Sequence, residues 1–150
     1  KDPDDLVRAL TENSIWQVWS RSGDPKVDAL FKAGVEQMNQ GQGQAAISTF
    51  SEIIRLKPEF AEGWNKRATI YFLIGDYDKS LHDCDEVIKR NPRHFGALSG
   101  YGQIYFQLER YEKALEYWRR ALEVNPNMTG VEMNIKATEQ LLKEKRGRTA

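Results

Sequence analysis

Residues 61–94 read AEGWNKRATIYFLIGDYDKSLHDCDEVIKRNPRH, and moving this window by its own length of 34 residues in either direction brings like residues together. Small residues recur at Gly34, Ala68 and Gly102, and prolines at Pro58, Pro92 and Pro126. The same register aligns Leu30 with Trp64 and Leu98, Ala46 with Ser80 and Ala114, Phe50 with Cys84 and Trp118, and Ile53 with Val87 and Ala121. A fixed period of roughly 20 to 50 residues is the mark of stacked-repeat architectures, so the fold is decided before any propensity is weighed.

Three units follow, 27–60, 61–94 and 95–128, each predicted to be two amphipathic helices joined by a turn. In the third, Leu98, Tyr101, Gly102 and Tyr105 share one helical face, as do Ala114, Leu115, Trp118 and Leu122 in the second helix. Gly41 and Gly43 break the first pair and Gly75-Asp76 the second, while the prolines stand where a following helix begins. Two helices approach closely only where one side chain is nearly absent, which accounts for the small residue at 34, 68 and 102. The residue at 50, 84 and 118 fills the space opposite. Because a repeat touches only its neighbours, the terminal units need polar-faced caps. Met128, Val131, Ile135, Thr138 and Leu142 predict a C-terminal capping helix over 129–145, with a frayed tail at 146–150. Leu6, Leu10, Ile15 and Trp19 predict an N-terminal capping helix within 1–26, ended by Ser22-Gly23-Asp24-Pro25.

The spacing Trp64-x2-Arg67-Ala68-x2-Tyr71, Ser80-x3-Cys84, Pro92 resembles the tetratricopeptide repeat, and the third unit matches more closely. The resemblance implies an all-α, right-handed solenoid of three helix-turn-helix repeats that binds other proteins. The stretches Ser14-Ile15-Trp16-x2-Trp19-Ser20-Arg21-Ser22-Gly23, Ala61-Glu62-Gly63-Trp64-Asn65-Lys66-Arg67-Ala68-Thr69 and Pro92-Arg93-His94-Phe95-Gly96-Ala97-Leu98 are also similar to small three-repeat proteins of proteobacteria and plant chloroplasts. That likeness implies an exported or organellar location, the chloroplast or the bacterial periplasm. The chain opens on Lys1 rather than Met, so a fragment or processed product is expected, with any targeting segment outside it.

Charge and composition narrow the function. Twenty-two Lys and Arg against 22 Asp and Glu leave no net charge, which removes the usual footprint of a nucleic-acid binder. The longest apolar run, Ile70 to Ile74, is five residues, far below the roughly 20 needed to span a bilayer. Cys84 is the single cysteine, so neither an intramolecular disulfide nor a cysteine-based zinc site forms, and it is expected to be buried. His82 and His94 stand twelve residues apart and assemble no catalytic constellation. His82 and Glu86 form an i, i+4 pair beside Asp83 and Asp85, read as a solvated polar face rather than a metal site. Gly41-Gln-Gly43-Gln-Ala-Ala46 imitates a dinucleotide fingerprint but follows no strand. Asn127-Met128-Thr129 is a glycosylation sequon only in a eukaryotic secretory setting, and Lys143 to Arg148 is read as a helix end complementing its own dipole. No cofactor and no enzyme activity are expected.

In the tetratricopeptide fold the first helix of each pair lines a concave surface, which here implicates Asp28, Phe31, Val35, Met38 and Asn39, then Glu62, Asn65, Thr69, Phe72 and Leu73, then Ser99, Gln103, Phe106 and Gln107. Phe31, Val35, Met38, Phe72, Leu73 and Phe106 are expected to make a contiguous apolar stripe that captures a helix or an apolar-rich peptide. One version of the family's groove grips the acidic C-terminal tails of heat-shock chaperones with Lys, Asn and Arg. At the matching positions stand Phe31 and Val35 on the first unit and Gly96 and Gly100 on the third, leaving only Asn65 and Lys66 as polar groups nearby. The resemblance therefore implies an interaction module without the carboxylate clamp. Trp16 and Trp19 leave three roles open for the N-terminal helix: a cap, a self-inhibiting cover, or a dimer contact. The alternative function is thus a self-assembling structural subunit, joined through these tryptophans or a terminal repeat.

Overall fold

In a computed structural model, residues 21–149 are described, and they form seven helices with no strand among them. These are α1 (Pro25–Asn39), α2 (Gly43–Leu56), α3 (Ala61–Leu73), α4 (Tyr77–Arg90), α5 (Phe95–Gln107), α6 (Tyr111–Val124) and α7 (Thr129–Thr149). Each packs on its neighbours in the chain, and α3 also meets α5, the pattern of an all-α solenoid. The expected N-terminal helix, with Trp16 and Trp19, lies outside the described residues. At the other end α7 spans Thr129–Thr149, so its helical bounds reach past the 129–145 read from the sequence. There Arg146 bonds Glu112 at 3.0 Å, and Lys145 sits 4.7 Å from the Tyr111 ring, both surface contacts with α6.

Local chemistry sets the helix bounds. Asp24 caps α1 by accepting the Lys26 N–H at 2.9 Å, with Pro25 at the first helical position. The preceding turn is tied by Ser22, whose hydroxyl donates to Asp28 at 2.6 Å; this hydrogen bond, before all else, holds the Asp28 carboxyl below the usual carboxylate range. The turn inside each pair needs a left-handed residue after the first helix. Gly41 (φ +73°) and Gly75 (φ +83°) supply it in the first two repeats, and Glu109 (φ 59°) in the third.

The small and large columns meet as complements. A Cβ on Gly34 would lie 2.7 Å from Phe50, and one on Gly102 would lie 2.2 Å from the Trp118 indole nitrogen. In the middle repeat the partners are Ala68 and Cys84, both 3% exposed, so the smaller ring-free side chain admits one more methyl opposite. Around these contacts the core is built from Val27, Phe50 and Ile53 at one end and Trp118, Val131 and Ile135 at the other. The 34-residue register continues into α7, where Val131, Ile135 and Thr138 are buried as Ala97, Tyr101 and Ile104 are. Its small column falls on Lys136, whose side chain is 75% exposed.

Candidate functional site

The first helices α1, α3 and α5, joined by α7, share one face, and two clefts open on it. The narrower, about 50 Å³, runs between α3 and α5. Its walls are Asn65, Thr69 and Phe72 on one side and Gly96, Gly100 and Gln103 on the other, with Ser80 and Cys84 of α4 at the bottom. The wider, about 360 Å³, lies between α5 and α7 and is bounded by Phe72, Gln103, Phe106 and Gln107, with Asn134 and Ala137 opposite and Trp118 beneath. Phe72 and Gln103 border both clefts, so the two form a continuous trough. Neither is lined by Asp, Glu, Lys, Arg or His.

The sequence-derived groove residues distribute unevenly over this face. Phe31 is half-buried, its ring edge-on to Phe50 and Phe60 at 5.7 Å each, and Val35 and Met38 pack against the same cluster. Asn39 is exposed at the end of α1. Phe72 is half-buried with its ring 5.7 Å from Tyr77, and Phe106 rests edge-on to Tyr111 at 5.2 Å and tilted over Trp118 at 5.9 Å. Gln103 and Gln107 are exposed beside them. Leu73 is 71% exposed and, like the half-buried Ser99, borders neither cleft. The apolar side chains therefore split into a first-repeat group engaged with its own core and a Phe72–Phe106 pair that flanks open space.

Two positions read as exposed are instead buried. Glu62 is 1% exposed and Asn65 8%. Glu62 accepts from Asn65 Nδ2 at 2.7 Å and meets His94 Nε2 at 2.8 Å, while His94 Nδ1 accepts the Ala97 N–H at 3.0 Å and so caps α5. A ring nitrogen that accepts bears no hydrogen, so the His94 proton sits on Nε2 and is donated to Glu62. The desolvation that drives charged groups to the surface is offset here by a closed set of hydrogen bonds reaching across the repeat boundary. Nothing in helical periodicity signals this, because the partner stands 32 residues later at a helix cap. Thr69 donates to the Asn65 carbonyl at 3.1 Å and lies exposed above it.

Cys84 has its thiol pushed up to about 12, by burial first and by Asp83 and Asp85 second, so it stays a protonated, inert side chain. Glu86 is held below the usual carboxylate range by hydrogen bonds from Arg90, at 2.6 Å, and Lys89, at 3.3 Å. The neighbouring His82 is 65% exposed at its side chain. Among the described residues no three His, Cys, Asp or Glu side chains converge on a metal-sized site, and no helix is long and apolar enough to cross a membrane.

Trp118, Asn134 and Ala137 were not among the groove residues read from the sequence. The signal was present: 134 and 137 lie 34 residues beyond 100 and 103, which makes α7 the next first helix as well as a cap.

Comparison with known proteins agrees with this geometry. The sequence profile of the tetratricopeptide repeat matches residues 61–94 and 97–128. A TPR repeat-containing protein of Rhizobium etli is 36% identical over 126 residues, covering 84% of this chain and 61% of its own length. The small glutamine-rich tetratricopeptide repeat-containing protein of Dictyostelium discoideum is 36% identical over 124 residues, 81% of this chain and 37% of its own. The chain thus spans less than two thirds of the length of these curated relatives. Among solved structures, the first TPR of Spaghetti (RPAP3) bound to the HSP90 peptide SRMEEVD superposes with a TM-score of 0.75 at 24% identity, over 79% of this chain and 94% of that one. The Sgt2 TPR domain from Aspergillus fumigatus gives a TM-score of 0.76 at 21% identity, over 82% and 83%.

Proposed function

Since the chain belongs to the tetratricopeptide-repeat family, we propose that it is a non-catalytic interaction module that holds an apolar-rich segment of a partner protein in the trough between α3, α5 and α7. The observation that carries this reading is the pair Phe72 and Phe106, both half-buried and both lining an open cleft of about 360 Å³ whose floor is Trp118 and whose lining bears no charge. Apolar surface left beside such a cleft gains free energy when a partner covers it, and aromatic side chains in pockets dominate such contacts.

RPAP3 is bound to an HSP90 peptide, SRMEEVD, on a similar fold, whereas among the described residues no Lys, Arg or His lines either cleft of this trough. Phe31 and Val35 pack on the first-repeat core, and Gly96 and Gly100 open the crevice where the clamp would place long basic side chains. The partner therefore differs from an acidic chaperone tail.

The test is affinity capture from native extract, comparing the wild type with Phe72→Glu/Phe106→Glu matched for helical circular dichroism. A protein held by the wild type and lost by the variant is the expected result. Equal capture by both would move the site off this face.

A further inference from the structure

We infer that the edge of the solenoid bearing the turns inside the helix pairs docks on an anionic lipid bilayer, with Leu73, Ile74 and Leu108 entering its interface and the basic end of α7 lying among the headgroups. None of these three apolar side chains borders the trough, so this is a second surface, independent of the first.

Exposure singles out this edge. Among the described residues four large apolar side chains are exposed, and three of them, Leu73 at 71%, Ile74 at 52% and Leu108 at 40%, stand where α3 and α5 end. Ile74 and Leu108 are the C-cap residues of those helices and lie one 34-residue period apart, so successive repeats carry them to the same edge. Neighbouring helices pack about 10 Å apart, which sets the two turns side by side. The first repeat has Gln40 at the same place, so the turn itself does not require an aliphatic side chain.

The charge comes from α7. It holds the next first-helix place in the register, but where α5 stops at Gln107 it continues beyond the corresponding 141 to Thr149. Its end reaches the same edge, since Arg146 and Lys145 meet Glu112 and Tyr111 at the start of α6. Residues 108–113 and 142–149 together hold six Lys and Arg against three Glu. The second-repeat turn adds Asp76 and Asp78 against Lys79, so the edge is positive, most strongly at its C-terminal end. The helix dipole accounts for Arg146 and Arg148 in the last turn, whereas Lys143 and Lys145 precede it.

Aliphatic tips beside cations match the two parts of a membrane surface. Interfacial side chains sink about 5 to 10 Å, to the boundary of headgroups and acyl chains, while Lys and Arg held close to the surface gain from anionic lipid. A folded partner would need a shape complementary to these tips. A fluid interface closes around projections without one.

The experiment floats the full chain with vesicles of phosphatidylcholine alone, and with vesicles in which about one third of the lipid is phosphatidylglycerol. Binding is expected to the second only, falling by about tenfold or more as ionic strength rises from about 0.05 to 0.5 M. Leu73→Ser/Ile74→Ser/Leu108→Ser and Lys143→Gln/Arg148→Gln should each weaken it by about tenfold or more, with helical circular dichroism unchanged. Phe72→Gln/Phe106→Gln should bind as the wild type does. A polarity-sensitive dye on Leu108→Cys should shift to the blue on the anionic vesicles, and the same dye on Met133→Cys, about 20 Å along α7 from Arg146, should not. Cys84, 3% exposed, is shielded from the label. No binding, equal binding to neutral vesicles, or binding indifferent to either edge variant would overturn the inference. So would an equal dye shift at 133 and 108, or binding lost with Phe72→Gln/Phe106→Gln, which would move the contact to the trough.

Discussion

In the second repeat Arg67 of α3 grips Asp83 of α4 through two hydrogen bonds of 2.7 and 2.8 Å and reaches back to Ser51 of the preceding repeat at 3.1 Å. In the third, 34 residues on, Tyr101 and Tyr117 occupy the same two positions and stack with ring centroids 4.4 Å apart, and the Tyr101 hydroxyl donates back to Asp85, the counterpart of Ser51. The helices keep one geometry while an ion pair in one repeat is exchanged for an aromatic stack in the next. The small columns behave alike, with Gly102 under Trp118 in the third repeat and Ala68 under Cys84 in the second. What persists between repeats is the volume enclosed by each pair and the back-reach of position 67 or 101, not the chemistry. The difference has a consequence for the site: the crevice opens where the large column is lightest, with Cys84 rather than an aromatic ring at its floor.

Breaking the polar half of this comparison should produce the largest effect. Asp83→Ala leaves Arg67, 17% exposed at its side chain, without its counter-ion, and should destabilise by about 3 kcal/mol in denaturant unfolding. The double exchange Arg67→Tyr/Asp83→Tyr imports the third repeat's solution and should recover most of that loss, since an apolar replacement of a buried pair is often neutral. If the exchange is as damaging as the single change, the two junctions are not equivalent.

Gly102→Ala tests the steric half. Its Cβ would lie 2.2 Å from the Trp118 ring, so it should cost about 2 to 3 kcal/mol, whereas Ala68→Gly in the second repeat should cost only about 1 kcal/mol. Alkaline titration separates the repeats again. The Cys84 thiol is raised from 9.0 to about 12, and the Tyr101 hydroxyl is also raised, by burial first and by Asp85 second. For a raised group the stabilisation is whole below the unfolded value and fades as pH climbs towards the folded one. Stability should therefore fall from about pH 9 upward, by up to about 1.4 kcal/mol per unit from the thiol, and Cys84→Ala should flatten the first part of the decline. The smallest effect is a gain: Glu109→Gly relieves the left-handed residue of the third repeat and should stabilise by about 1 kcal/mol, matching its turn to those at Gly41 and Gly75.

These contrasts also explain what the sequence made legible. Period and punctuation located the helix pairs, and α3 and α5 begin at Ala61 and Phe95, the first residues of the second and third units. Phe72 and Phe106 could be read as groove residues because helical spacing fixes which face they occupy. Glu62 could not be read correctly, since its burial depends on His94, which only stacking of the next repeat brings within 2.8 Å. The fate of Phe31 escaped for a related reason: its ring meets Phe60 from the loop before α3, a contact made by packing rather than by spacing.

Lys136 bears on how long such an array can grow. At each earlier passage of the register a glycine or alanine receives the second helix of its pair, and here a solvated ammonium stands in its place, 4.0 Å from Glu132 on the same helix. A further helix laid against α7 as the earlier second helices are laid would meet that ammonium, so at 136 the column of small residues is broken. Lengthening the solenoid by grafting another helix would begin with restoring a small residue at 136.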